Sequence, residues 1–338
     1  MSTAFNRPFS RALILLCAAL LTLTAHAPTA LAAPEVDDEG AVPSVREVLD
    51  TALQQYNDAK GRLDVSLQRQ AELNEQIRLT GLQLELLYAE VAVLAAAAYR
   101  GSRINTTNVL LETDSPEALL NAMTTLTYLT SRDDRKLRTL KAAKQTHAEQ
   151  QQALADEIAF QKDQLALMEK QKKAAENALK RVGGGQVSAG FVPGKATATQ
   201  APRNADGSWP KQTCSVDDPT TSGCITPRTL HAYQEARRAG YTRYTSCYRS
   251  GSSGEHPKGR ACDFSSAKTT FLNSRATGDD KTYGDKLTGW LMANSDRLGI
   301  LYIIWYKQIW FPDRGWRSYG GDGTPAGDHY NHIHLSMQ

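Results

Sequence analysis

The chain has 338 residues, 41% hydrophobic, 7% aromatic and 22% charged, with 39 Lys and Arg against 36 Asp and Glu. A formal charge of +3 argues against a nucleic-acid binder working through a basic face. The composition fits neither a disordered polar chain nor a membrane protein, and the length suggests two or three domains with packed cores.

The first residues read as an export leader, 1–32. Arg7 and Arg11 precede an apolar run from Ala12 to Leu23, and Ala30-Leu31-Ala32 offers a small-x-small cleavage site before Ala33. That run is short for a bilayer span, and no later segment reads as apolar enough, so no transmembrane anchor is expected after cleavage. Cys17 follows Leu16 rather than a small residue, which argues against lipid attachment. Four cysteines then remain: Cys214, Cys224, Cys247 and Cys262. An even number in an exported chain points to two disulfides. Three connectivities are open; proximity favours Cys214–Cys224 with Cys247–Cys262. A zinc-thiolate site is the weaker alternative, since no CxxC pair occurs.

Residues 33–182 read as a coiled-coil hairpin. From Val45 to about Tyr99 a 3-4 spacing runs through Leu49, Leu53, Tyr56, Leu63, Leu67, Ile77, Leu84, Tyr88 and Val91. The pattern fails around Arg100–Pro116, where Ser115 is a plausible N-cap and Pro116 suits a first helical turn. A second helix is expected from Pro116 to Arg181, its seam passing through Leu119, Met123, Leu126, Leu137, Leu140, Leu154, Ile158, Leu165, Met168 and Leu179. Each helix has one narrow apolar stripe and is unstable alone. An antiparallel hairpin buries both stripes; a homodimeric coiled coil is the alternative.

Gly183-Gly184-Gly185 ends the second helix, and 183–212, poor in large apolar residues, reads as a flexible linker. Residues 213–338 differ in kind, with nine Tyr, four of the five Trp and all four remaining cysteines. Helices are expected over Pro227–Ala239 and Gly284–Leu298, and strands over Leu301–Ile304 and Ile333–Met337. The fold class is thus an all-α hairpin followed by an α+β domain of ~125 residues, large enough for its own core.

Of seven histidines, four fall in two short segments of this domain. Glu255-His256-Pro257-Lys258-Gly259-Arg260-Ala261-Cys262-Asp263 is an HxxGxAxD pattern, and His329-Tyr330-Asn331-His332-Ile333-His334 an HxxHxH pattern. On a strand, His332 and His334 emerge on one face. Gly259 permits the bend that His256 and Asp263 need to converge, and small Ala261 lets the segment lie close beneath the site. Two imidazoles and a carboxylate with a fourth position open make a catalytic rather than structural zinc set, able to activate water near neutral pH. Glu255 and Asp328 stand beside these motifs as surface or supporting acids. Trp305, Tyr306, Trp310, Phe311 and Trp316 read mostly as core or pocket wall, with one or two placed to stack on sugar rings.

From about Tyr248 the chain resembles the LAS zinc metallopeptidases of bacterial cell walls, which include D-alanyl-D-alanine carboxypeptidases, D,D-dipeptidases and penicillin-insensitive murein endopeptidase. Their SxHxxGxAxD signature matches at His256, Gly259, Ala261 and Asp263, and departs at Gly254, where the family has Ser. The resemblance implies a hedgehog-like zinc domain in which His256, Asp263 and His334 hold Zn2+. It puts His332 at the catalytic centre, and makes Arg249 of the Tyr248-Arg249-Ser250 segment a group that binds a substrate carboxylate or polarises the scissile carbonyl. His329 becomes a substrate contact. The implied activity is an exported, cell-wall-associated peptidase, endopeptidase or D,D-carboxypeptidase, acting on peptidoglycan stem peptides. The order of leader, hairpin, linker and hydrolase domain also resembles cell-wall hydrolases regulated by their hairpins, which implies an envelope protein partner. The alternative is a non-catalytic wall-binding protein or an activator of another hydrolase.

Overall fold

A computed structural model describes residues 43–100, 108, 114–181, 186 and 188–338. The expected leader, the glycine run 183–185 and most of the Arg100–Pro116 turn lie outside the described residues.

Helices α1 (Pro43–Tyr99) and α2 (Pro116–Arg181) have 57 and 66 residues, about 85 and 100 Å at helical rise. Ser115 Oγ accepts from the Ala118 N–H at 3.2 Å and caps α2 ahead of Pro116. The helices run antiparallel along one another. Arg62 donates to Gln164 at 2.9 Å, Gln161 to Gln70 at 3.1 Å and Thr80 to Gln150 at 2.7 Å, and Lys136 pairs with Glu90 at 3.0 Å.

The seam keeps a 3-4 repeat but not always at the leucines. On α1 it passes through Ala59, Leu63, Ser66, Gln70, Leu73, Ile77, Thr80 and Leu84; on α2 through Leu140, Ala143, His147, Gln150, Leu154, Glu157, Gln161, Gln164, Met168 and Gln171. Leu67, Leu137 and Leu165, expected in it, are 48, 51 and 52% exposed, and Tyr88, Leu119 and Met123 are exposed too. Small alanines let the helices close up, and the glutamines find partners across the gap, Gln161 with Gln70, Gln164 with Arg62 and Gln150 with Thr80. By length and composition alone, α1 also contains a stretch apolar enough to cross a membrane, which corrects the expectation that no segment beyond the leader is.

The remaining elements are β1 (Val216–Asp217), β2 (Cys224–Ile225), α3 (Pro227–Arg238), β3 (Thr245–Ser246), β4 (Ala261–Ser265), α4 (Gly278–Ala293), α5 (Ser295–Leu298), β5 (Ile300–Trp305), β6 (Gln308–Phe311), β7 (Gly315–Ser318) and β8 (His332–Met337). Six strands form one antiparallel sheet in the order β3-β4-β8-β5-β6-β7. Both disulfides are Cys214–Cys224 and Cys247–Cys262.

Alternation along the strands gives the sheet two different faces. Phe264, Ile303, Trp305, Ile333 and Leu335 face the core built with Leu287, Trp290 and Leu291 of α4. Tyr302, Ile304, Ile309 and Phe311 form a second cluster with Leu49, Ala52 and Leu53 of α1 and Ala175, Ala178 and Leu179 of α2. The base of the hairpin is therefore packed into the sheet.

The segment expected as a flexible linker over 183–212 is fixed to the domain from Ser188 onward. The Ala198 N–H donates to Asn294 Oδ1 at 2.8 Å, the Gly194 N–H to the Gly289 carbonyl at 2.6 Å, and Trp290 Nε1 to Thr197 Oγ1 at 2.9 Å. Ala198, Ala201 and Trp209 are buried, and the Trp209 N–H donates to Asp58 of α1 at 2.8 Å. Many of its contacts come from the backbone and small side chains, which composition does not reveal, with Phe191 and Trp209 as its large apolar anchors. The helix expected at Gly284–Leu298 is found as α4, which starts at Gly278, and the short α5 after Asn294.

Candidate metal centre

Strands β4 and β8 pair so that Asp263 lies directly opposite His334, and Ser265 opposite His332. Paired residues share a face, so both carboxylate and imidazole emerge on the side the hairpin partly covers. His256 comes from the loop before β4, which doubles back through Gly254 (φ +79°) and Gly259 (φ +68°). A Cβ at Gly259 would lie 2.7 Å from Cys214 Sγ and 2.8 Å from Ile225 Cα, so glycine lets the loop rest on β2. Gly254, where the LAS signature has Ser, takes a left-handed conformation that strains any other residue.

His256 Nε2 is 3.2 Å from Asp263 Oδ2 and 3.3 Å from His334 Nδ1, and His334 Nδ1 is 2.9 Å from Asp263 Oδ1. All three side chains are buried, with one ligand atom of each within 4.8 Å of the others. The outward nitrogens are held. The Cys247 carbonyl takes the His256 Nδ1 proton, and His334 Nε2 lies 2.8 Å from Ser336 Oγ. In neutral rings this turns two lone pairs and a carboxylate toward one point, an electron-rich set suited to a cation. The donors fit a divalent metal; two histidines and an aspartate suit zinc.

Burial alone would raise the Asp263 carboxyl, but His256 and His332, together with hydrogen bonds from His256 and His334 when, with no cation between them, those rings carry the facing proton, hold it well below its ordinary range. His332 stands beside the triad, its Nε2 3.7 Å from Asp263 Oδ1. Asn331 donates its amide to the Leu272 carbonyl at 2.7 Å, so its oxygen accepts from His332 Nδ1 at 2.7 Å. That leaves the Nε2 lone pair toward the site. Burial, opposed by Asp263 and reinforced by His334, His256 and Arg249, lowers His332 to about 4, so the ring is neutral at pH 7.

Arg249 reaches in from the segment after β3, its guanidinium 3.2 Å from Asp263 Oδ2. His329, at φ +53°, is buried with its ring centroid 4.6 Å from that of His332. Burial first, then His332 and His334, lower its pKa well below the ordinary value. Arg249, Asp263, His329, His332 and His334 line a cleft of about 240 Å3 with Phe271, Asn331 and the loop from Asp322 to Gly327.

The structure thus gathers His256, Asp263, His332, His334, Arg249 and His329 in one place. The flanking acids point elsewhere: Glu255 is buried against Arg260 and Lys258, and Asp328 pairs with Lys307 at 3.1 Å. Trp305, Trp310, Phe311 and Trp316 are buried in the cores rather than lining the cleft. Sequence reading missed Phe271, which meets the His332 ring edge-on at 5.6 Å, and the orienting roles of Asn331, Ser336 and Tyr302. The neighbour position of Asn331 was the one signal available.

Residues 221–330 match a family model described as VldE, C-terminal domain, a match that includes His256 and Asp263 and stops before β8. No curated protein and no solved structure matches the chain.

Proposed function

We propose that the protein is an exported zinc-dependent peptidase that cleaves stem-peptide amide bonds of peptidoglycan. The observation that carries this reading is the convergence of His256, Asp263 and His334 within ligand distance, with Asp263 and His334 lining an open cleft. Zinc bound there would supply Lewis-acid activation of a water and of the scissile carbonyl.

The chain's own residues then have distinct work. His332, neutral and with Nε2 turned inward by Asn331, accepts the proton of the attacking water and returns it to the leaving amine. Arg249, at the cleft's edge, holds a substrate carboxylate or the carbonyl oxygen as charge builds on it. His329 and Phe271 wall the cleft on the side of the peptide. The two disulfides support an oxidising compartment.

A second reading, a non-catalytic wall binder or activator, draws support from the hairpin. Its distal half exposes Leu86, Val93, Tyr99 and Tyr128, a surface suited to an envelope protein partner. Purified full-length protein is assayed for bound zinc and incubated with peptidoglycan, with and without chelator. New muropeptides that vanish with chelation support the peptidase. Bound zinc without any new muropeptide favours the second reading.

A further inference from the structure

Two neighbouring turns of α1 grip the surroundings of both histidine ligands. Arg46 is 3% exposed, and its guanidinium carbon lies 4.6 Å from the centroid of the Tyr302 ring, with a hydrogen bond to the Tyr302 hydroxyl. Tyr302 in turn lies nearly parallel to the His334 imidazole, ring centroids 5.8 Å apart and planes 15° apart. Tyr302 is also the cross-strand partner of Ser336, the residue that meets His334 Nε2. Guanidinium, phenol and imidazole thus form one stack that ends on a metal ligand.

One turn further along, Asp50 is 2% exposed, lies 3.6 Å from Arg46 Nε and interacts with the Glu255 carboxyl. Glu255 immediately precedes His256, and its buried carboxyl is also tied to Arg260 and Lys258. The i,i+4 spacing of Arg46 and Asp50 puts them on one face of the helix. From that face one reaches Tyr302 on β5, whose ring lies against His334, and the other the loop bearing His256.

We infer that Arg46 and Asp50 are positioning residues of the metal centre, so that the hairpin base sets the site's affinity for metal. The inference rests on the metal-centre reading of His256, Asp263 and His334. Rings and loops left to themselves sample several orientations, and ordering them at the moment of binding weakens affinity. A support that fixes them beforehand strengthens it. A corollary is that any partner pulling on the hairpin acts on the metal centre directly, without touching the cleft.

The test uses full-length protein, zinc competition titrations and the visible absorption spectrum of the cobalt-loaded form. Arg46→Met and Asp50→Ala are each expected to weaken zinc about tenfold, within the range seen when groups behind a ligand are removed. Arg46→Met should also change the cobalt bands, and Arg46→Lys should restore part of both. Leu53→Ala is the control. It loosens the same apolar interface, which Tyr302 also joins, while leaving the Arg46, Tyr302, Asp50 and Glu255 side chains in place, and should bind zinc as the parent does. Parent-like affinity in Arg46→Met and Asp50→Ala overturns the inference, as does an equal loss in Leu53→Ala, which would make the effect one of docking in general. If Arg46→Met does not fold, Tyr302→Phe, which removes only the hydroxyl that Arg46 holds, decides by the same criteria. A folded parent that binds neither metal defeats the metal-centre reading itself, and this inference with it.

Discussion

One face of the sheet carries two unlike halves. Over β5 and β6 the side chains are apolar and covered by the hairpin; over β4 and β8 they are candidate metal ligands and open onto a cleft. The boundary runs between adjacent strands, since His334 is the cross-strand partner of Ile304. The covered half is stabilised by burial of hydrocarbon, which is non-directional and tolerant of shape. The open half holds buried polar groups that are tolerable only because each has a partner. The contrast teaches that the hairpin is a structural layer of the domain as well as a rod projecting from it.

If the two halves are functionally separate, substitutions should sort by half. The largest effect is expected at His334→Ala, which removes a ligand and should abolish both metal binding and peptidoglycan cleavage while the protein stays folded. Metal content measured after gel filtration decides it; parent-like zinc would defeat the ligand assignment. In the covered half, Leu53→Ala should lower unfolding free energy by about 2–5 kcal/mol. Urea denaturation reads this directly, and a loss below about 1 kcal/mol would mean that the hairpin base contributes little.

The Cys247–Cys262 bridge blurs the division, because it stabilises the fold and also fixes ligands. Its sequence separation is 15 residues. Replacing both cysteines by alanine should cost about 3 kcal/mol by the chain-entropy estimate. Zinc affinity should fall as well, since the Cys247 carbonyl orients His256 and Cys262 precedes Asp263. Unchanged affinity would show that the strands alone hold the ligands.

The smallest effect concerns Asp218, which accepts from the backbone N–H groups of Thr220 and Tyr248 and from the hydroxyls of Thr220 and Thr221. Burial would raise this carboxyl, but those hydrogen bonds outweigh it and place it below its ordinary value of 3.8. A depressed carboxyl stabilises the fold above that value and loses its contribution as pH falls through the folded one. Asp218→Asn should therefore be less stable by about 1–3 kcal/mol at pH 7, with the gap closing in acid. A gap independent of pH would show that packing, not ionisation, matters there.

The ligands were legible because metal chemistry restricts residue type and strand geometry restricts spacing: His332 and His334 two apart, and His256 and Asp263 about a glycine bend. The hairpin was legible as helices but not in its interior. Periodicity was followed through leucines, whereas Gln161, Gln164 and Gln171 hold seam positions and Leu165 faces solvent. Glutamine pairs serve an interface as well as they serve water, so one strand of sequence does not distinguish them. The fixed course of 188–212 was hidden for a related reason, as its hydrogen bonds belong to the backbone. Arg46 and Asp50 have the i,i+4 spacing of an ordinary surface pair on a charged helix; only the arrival of Tyr302 and Glu255 from residues far along the chain buries them.

The position of β8 has a consequence for how the molecule is made. It is the last strand in sequence yet lies in the interior of the sheet, between β4 and β5. With the strands that precede it in sequence in place, the sheet has a gap between β4 and β5. Closing that gap requires contacts between residues distant in sequence, which are slow to form. The same strand brings His334, so a nascent or truncated chain lacking it has no third ligand and cannot assemble the site. The candidate site forms only once the sheet is closed.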